Sequence, residues 1–121
     1  MKESEIITRN KLIAEFMGGC YTDVFHAAPK DIPVFAIYAR TVNELKYDSS
    51  WDWLMPVVEK IEDTTCHEYY FYQITIWKNC CKISDGNNGY EINSTFHPES
   101  KIKAVWSAVV EFIKWYNKQS K

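Results

Sequence analysis

Cys66, His67, Cys80 and Cys81 are the nearest this chain comes to a metal-ligand set: a thiol beside an imidazole, then a thiol pair. Zinc takes such donors, but its structural sites are built from spaced Cys-x-x-Cys knuckles, and none is present. Cys80 and Cys81 are adjacent within an expected strand, so they point to opposite faces and do not line one site together. Buried or idle thiols are the expected reading, with no metal and no cofactor. Nucleophilic chemistry would need a thiol and a base brought together from scattered residues such as His67, Glu68 and Cys80. His26, His67 and His97 are otherwise scattered. The chain has four glycines, no phosphate-cradling glycine loop, no His-Glu-x-x-His and no Gly-x-Ser-x-Gly, so no catalytic residue is assigned. A third chemistry is stacking on an anionic ligand such as a nucleotide signal, for which Arg40, Tyr69, Tyr72, Trp77 and Lys82 supply rings and cations. The competing reading is that these tyrosines simply cover a sheet.

The elements that must position these groups are legible from periodicity. A first helix is expected from about Ser4 to Met17, closed by Gly18-Gly19 in a left-handed cap, with Ile6, Leu12, Ile13, Phe16 and Met17 on one side. A second begins near Ser50, a favourable N-cap, with Asp52 in its first turn. Trp51, Leu54, Met55, Val57, Val58 and Ile61 form its apolar arc. Pro56 falls on the solvent side, where a bend rather than a break is expected. The clearest strand is Tyr69 to Trp77, with Tyr70, Tyr72, Ile74 and Ile76 on one face and Tyr69, Phe71, Gln73, Thr75 and Trp77 on the other. Neither face is wholly polar, which predicts an interior strand. Cys80 to Ser84 and Tyr90 to Thr95, separated by Asp85-Gly86-Asn87-Asn88-Gly89, complete an antiparallel meander. A further extended segment is expected at Pro33 to Ala39, with Phe35, Ile37 and Ala39 on one face.

The last helix starts around Pro98 to Ser100 and runs to about Lys118. Ile102, Val105, Trp106, Val109, Val110, Phe112, Ile113 and Tyr116 make its core arc. Trp115 lies outside that stripe beside Ala104 and Ala108. These three form a flat strip that reads either as the edge of the core or as a contact with a second copy or another protein.

A chain of 121 residues is expected to be a single domain spanning 1 to 121. The net charge of −2 gives no bulk attraction to nucleic acid. Charge is nonetheless uneven. Residues 41 to 70 hold seven acids against two lysines, a net of −5, and residues 98 to 121 hold five lysines against two acids, a net of +3. Met1-Lys2-Glu3-Ser4-Glu5 lacks the apolar core of a signal peptide and no stretch is long enough to span a membrane, so a cytoplasmic protein is expected.

Asn10 to Gly18 (NKLIAEFMG), the Trp51 to Ile61 segment (WDWLMPVVEKI) and Lys101 to Asn117 resemble small phage and prophage proteins of gut bacteria, specifically the phage ABA sandwich domain family. The resemblance covers nearly the whole chain in order and implies helices packed about a small sheet. It carries over no catalytic residue. Residues 20 to 47 depart from the family's plainer connection. Together the residues and the resemblance predict an α+β fold: a small, mostly antiparallel sheet of three to four strands with helices packed on it, α/β/α sandwich-like, and N- and C-terminal helices. They predict a non-catalytic binding protein of phage or mobile-element origin acting on a host component or on itself as a homo-oligomer, in the bacterial cytoplasm. The alternatives are a protein that sequesters a small anionic ligand in counter-defence, and an enzyme with an unrecognised site.

Overall fold

The computed structural model describes residues 2–18, 20–21, 25–26, 45–67, 70–86 and 89–119. The expected strand at Pro33 to Ala39 lies outside the described residues. The chain is α+β, with an antiparallel three-stranded sheet and helices at both ends.

Helix α1 spans Glu3–Phe16, with Glu3 and Glu5 in the turn where the helix dipole favours acids. It stops because Gly18, at φ 93°, turns the backbone into the left-handed region that glycine tolerates. Helix α2 spans Trp51–Glu62 from an extended Ser50 N-cap and runs unbroken through Pro56. Its Leu54, Val57, Val58 and Ile61 are buried, whereas Trp51 and Met55, expected on the same arc, are exposed. The buried four cover about 100° of the helical wheel, and Trp51 and Met55 fall to one side of it.

Two short antiparallel pairs precede the main sheet. Strands β1 (Cys20–Tyr21) and β2 (Phe25–His26) form one; β3 (Thr65–His67) and β4 (Tyr70–Phe71) form the other. Tyr72 N–H donates to Thr64 O at 3.2 Å, which carries the second pairing to the start of β5 (Gln73–Trp77). Strands β5, β6 (Cys80–Ser84) and β7 (Glu91–Phe96) form the meander in the order β5-β6-β7. Among the described residues β6 is therefore the interior strand of this sheet and β5 an edge. The expectation of an interior strand ending at Trp77 fails because its aromatic second face is exposed, not covered. Gly86 follows β6 closely against β4, and a Cβ there would meet Phe71 O at 1.9 Å.

Register decides what each sheet face carries. Ile74 pairs with Ile83 and Ile83 with Asn93, while Ile76 pairs with Cys81 and Cys81 with Thr95. These two rows share the inner face. Helix α3 (Lys101–Gln119) lies on it, fixed by Asn93 Nδ2 donating to Ala108 O at 3.2 Å and by Thr95 Oγ1 donating to Ala104 O at 2.5 Å. Two polar side chains within an otherwise apolar face thus donate to helix carbonyls, while Asn93 Oδ1 is buried without a partner. The helix comes that near because alanines face the strands.

Helices α1 and α2 pack around the rest of α3, leaving Lys103, Ser107, Glu111 and Lys114 as its solvent edge. Trp106 Nε1 donates to Asn10 Oδ1 at 2.9 Å, and Asn10 Nδ2 donates to Leu45 O and to Asp48 Oδ1. Asp48 in turn pairs with Lys103 at 3.2 Å. Lys60 of α2 donates to Phe16 O at 2.7 Å and lies over the Phe16 ring, closing the C-terminal end of α1. Phe16, Tyr72, Phe112, Trp115 and Tyr116 form an aromatic cluster at the far end of α3, in which Tyr72 meets its neighbours edge-on and Phe112 stacks on Tyr116.

Candidate functional site

The remaining register pairs build the outer face of the sheet. Trp77, Cys80 and Phe96 form one cross-strand row, and Thr75, Lys82 and Ser94 form the next. Trp77 and Phe96 stand two strands apart, about 10 Å, and Lys82 sits about 7 Å along the central strand from Cys80. The helices cover the opposite face, so the rings meet solvent: Trp77 is 44% exposed and Phe96 67%. A third row, Gln73, Ser84 and Glu91, closes the face at a β-bulge between Ile83 and Ser84, where Ser84 is buried.

The corner bearing both rings is held rigid from behind. The β5-β6 hairpin turns through Lys78 and Asn79, with Lys78 at φ 47°, a left-handed conformation that favours Gly or Asn. His97 N–H donates to Asn79 O at 3.0 Å and Asn79 Nδ2 donates to Pro98 O at 3.2 Å, so the turn is bonded to the chain leaving β7. Lys82 is half-exposed and has no ion-pair partner among the described residues.

No protein-family model, curated protein or solved structure matches this chain.

Among the described residues the expected ligand-binding set does not assemble. Arg40 and Tyr69 lie outside the described residues. Trp77 and Lys82 share the outer face, but Tyr72 is buried on the inner side against Phe112, Trp115 and Tyr116. Strand parity separates them, because residues 72 and 77 are an odd number apart. Burial is the largest cause raising the Tyr72 hydroxyl above the usual tyrosine range, followed by Cys66, Tyr116 and Asp85. Phe96 is the member of the outer face that the sequence reading missed. The signal was available, since Phe96 ends a strand whose alternation places it with Ser94.

The small-residue strip on α3 is also corrected. Ala104 and Ala108 are 1% and 0% exposed, beneath β7, and Trp115 is half-buried in the aromatic cluster. The strip is where the sheet docks, so it is not a surface for a second copy.

The thiols are dispersed. Cys80 is half-buried on the outer face, and Cys81 is fully buried on the inner one with its thiol pushed up to about 12 by burial. Cys66 Sγ contacts Tyr70 O at 3.3 Å and Asp85 Oδ1 at 3.6 Å, beyond the opposite end of β6 from Cys80. The length of β6 alone separates those ends by about 13 Å, too far for Cys66 and Cys80 to ligate one ion. Among the described residues, no group of three or more His, Cys, Asp or Glu is arranged to hold a metal, and no helix is long and apolar enough to cross a membrane.

An open groove of about 740 Å³ runs along the solvent side of α1, lined by Thr8, Arg9, Lys11, Glu15 and Lys114 among others. Its charges are mixed, and Lys114 is engaged with Glu111 at 3.2 Å and Arg9 with the Trp106 ring. Of the expected ligand-binding residues, the described Tyr72, Trp77 and Lys82 do not line it.

Proposed function

We propose that the protein is a non-catalytic binding module that docks a protein partner on the outer face of its sheet. The observation that carries this is the cross-strand row of Trp77, Cys80 and Phe96, two large rings exposed on a rigid face. Exposed aromatics on a rigid scaffold lose little conformational entropy on binding and bury much area, which is why they dominate binding energy at interfaces. The setting, a phage or mobile-element protein acting on a component of its bacterial host in the cytoplasm, comes from the resemblance. The segments carrying it supply core contacts: Asn10 to Trp106, and Lys60 to Phe16 O. Their identity is explained by packing, which leaves binding to residues outside them.

The test is site-specific photo-crosslinking in bacterial cells expressing the chain. A photoreactive residue in place of Thr75 or Ser94 should yield a discrete higher-mass adduct with another protein. The same group in place of Glu15, on the outside of α1, should not. Trp77→Ser combined with Phe96→Ser should abolish the adduct while leaving the melting transition in place. Equal crosslinking from both faces would refute the assignment.

A further inference from the structure

The two exposed rings flank a face whose centre is cationic. Lys82 lies at the middle of the Thr75, Lys82 and Ser94 row, between neutral neighbours and without an ion-pair partner among the described residues. Lys78 adds a second cation in the hairpin turn beside Trp77, at a φ of 47° where Gly or Asn would fit with less strain. The one carboxylate on the outer positions of the described strands is Glu91, a row beyond, where the bulge closes the face.

A partner that covers Trp77 and Phe96 and extends one row along β6 also covers Lys82. Desolvating an ammonium without a counter-charge is costly, so the partner must bring an anion to that point. A second copy related by a two-fold axis through this face would set Lys82 against Lys82, which like-charge repulsion opposes. Single-stranded nucleic acid would use the rings for stacking, but its affinity rests on several phosphate contacts, and two lysines on a chain of net charge −2 supply few.

Resting on the docking role proposed above, we infer that the partner is a protein segment with a carboxylate two residues from a large apolar side chain. Its apolar groups lie on Trp77 and Phe96 and its Asp or Glu on Lys82. An extended strand meets that spacing, because side chains two residues apart project from one side about 7 Å apart.

The experiment is selection from a displayed library of random linear peptides on the wild-type protein and, in parallel, on Lys82→Glu. Enriched peptides are then titrated as labelled synthetic peptides. Wild type should enrich Asp or Glu with an aromatic or large aliphatic residue within two positions. Those peptides should bind at least tenfold more weakly to Lys82→Glu and to Trp77→Ser, both of which keep the wild-type melting temperature. Selection on Lys82→Glu should return Lys or Arg at the acidic position. Peptides that depend on Trp77 but lack an acid, or ignore Lys82→Glu, overturn the carboxylate inference and leave the docking face standing. A selection in which nothing enriched depends on Trp77 or Phe96 overturns both. Oligo(dT) or oligo(U) binding lost in Trp77→Ser, or a dimer in sedimentation that Trp77→Ser splits, overturns the inference in favour of nucleic acid or a second copy.

Discussion

Asn10 is the residue on which three separate segments agree. It is 2% exposed, yet its amide is used at both ends: the oxygen accepts from Trp106 on α3, and the nitrogen donates to Leu45 O and Asp48 Oδ1 in the turn before α2. Arg9 and Lys103 lie over the Trp106 ring at 5.6 and 5.5 Å, so the indole is held by its face as well as by its N–H. Replacing Asn10 with leucine, similar in size and apolar, removes the hydrogen bonds and leaves Trp106 Nε1 and Leu45 O without this partner inside the protein. Each buried group so orphaned costs about 1–3 kcal/mol. Asn10→Leu should therefore lower the unfolding free energy in urea by about 3 kcal/mol. A loss below about 1 kcal/mol would mean that water replaces the amide. Nothing in the sequence announced this network: Asn10 stands at a helix-facing position where polarity reads as exposure, and its partners are 38 and 96 residues away.

At the scale of elements, the helices and the meander were legible and the way they stack was only half so. Period and caps place α1, α2 and α3 within a residue or two, and Cys80–Ser84 falls as expected. Each of those signals is local. Where α3 meets the sheet is not local, because alanine carries no directional signal and takes its place from what packs on it. The decisive residues are on β7, where Asn93 and Thr95 face inward and need acceptors. Grouping Tyr72 with Trp77 as ligand residues is a different error, because alternation, a local signal, puts them on opposite faces. Ala108→Leu tests the stacking directly. With 0% exposure and the sheet bonded to its own carbonyl, the added side chain has nowhere to go without lifting α3 from β7. Overpacking of this kind costs about 1–3 kcal/mol. The expected signature is a lowered denaturation midpoint with faster amide exchange in β7, while the α1 amides, on the other side of α3, are less affected. A variant as stable as wild type would place Ala108 at the surface after all.

Taken whole, the molecule holds Cys81, Tyr47 and Tyr72 neutral to higher pH than water would, and its stability should show this as an alkaline limb. Cys81 is buried on the inner face, its thiol pushed from 9.0 to about 12 by burial. The Tyr47 hydroxyl is buried without a hydrogen-bond partner, in edge contact with Trp53, and burial raises it well above the ordinary 10.0. In both cases the unfolded chain gives up its proton at a lower pH than the folded one. Above pH 9 the unfolded state therefore binds fewer protons, and stability falls as pH rises. The contribution is complete below pH 9 and declines by at most about 1.4 kcal/mol per pH unit for each group. Tyr47 adds its share from pH 10 upward. Urea unfolding followed from pH 8 to 11 should show the free energy level near pH 8 and falling past 9. Tyr47→Phe removes one ionisable group and, because its hydroxyl makes no hydrogen bond, should cost little at pH 8. Its curve should run shallower than wild type above pH 10. Parallel curves would mean that the hydroxyl reaches solvent in the folded state. Cys81 and Tyr47 both lie within one continuous core that includes residues of α1, α2 and α3, so the alkaline limb should appear as one cooperative loss of the fold.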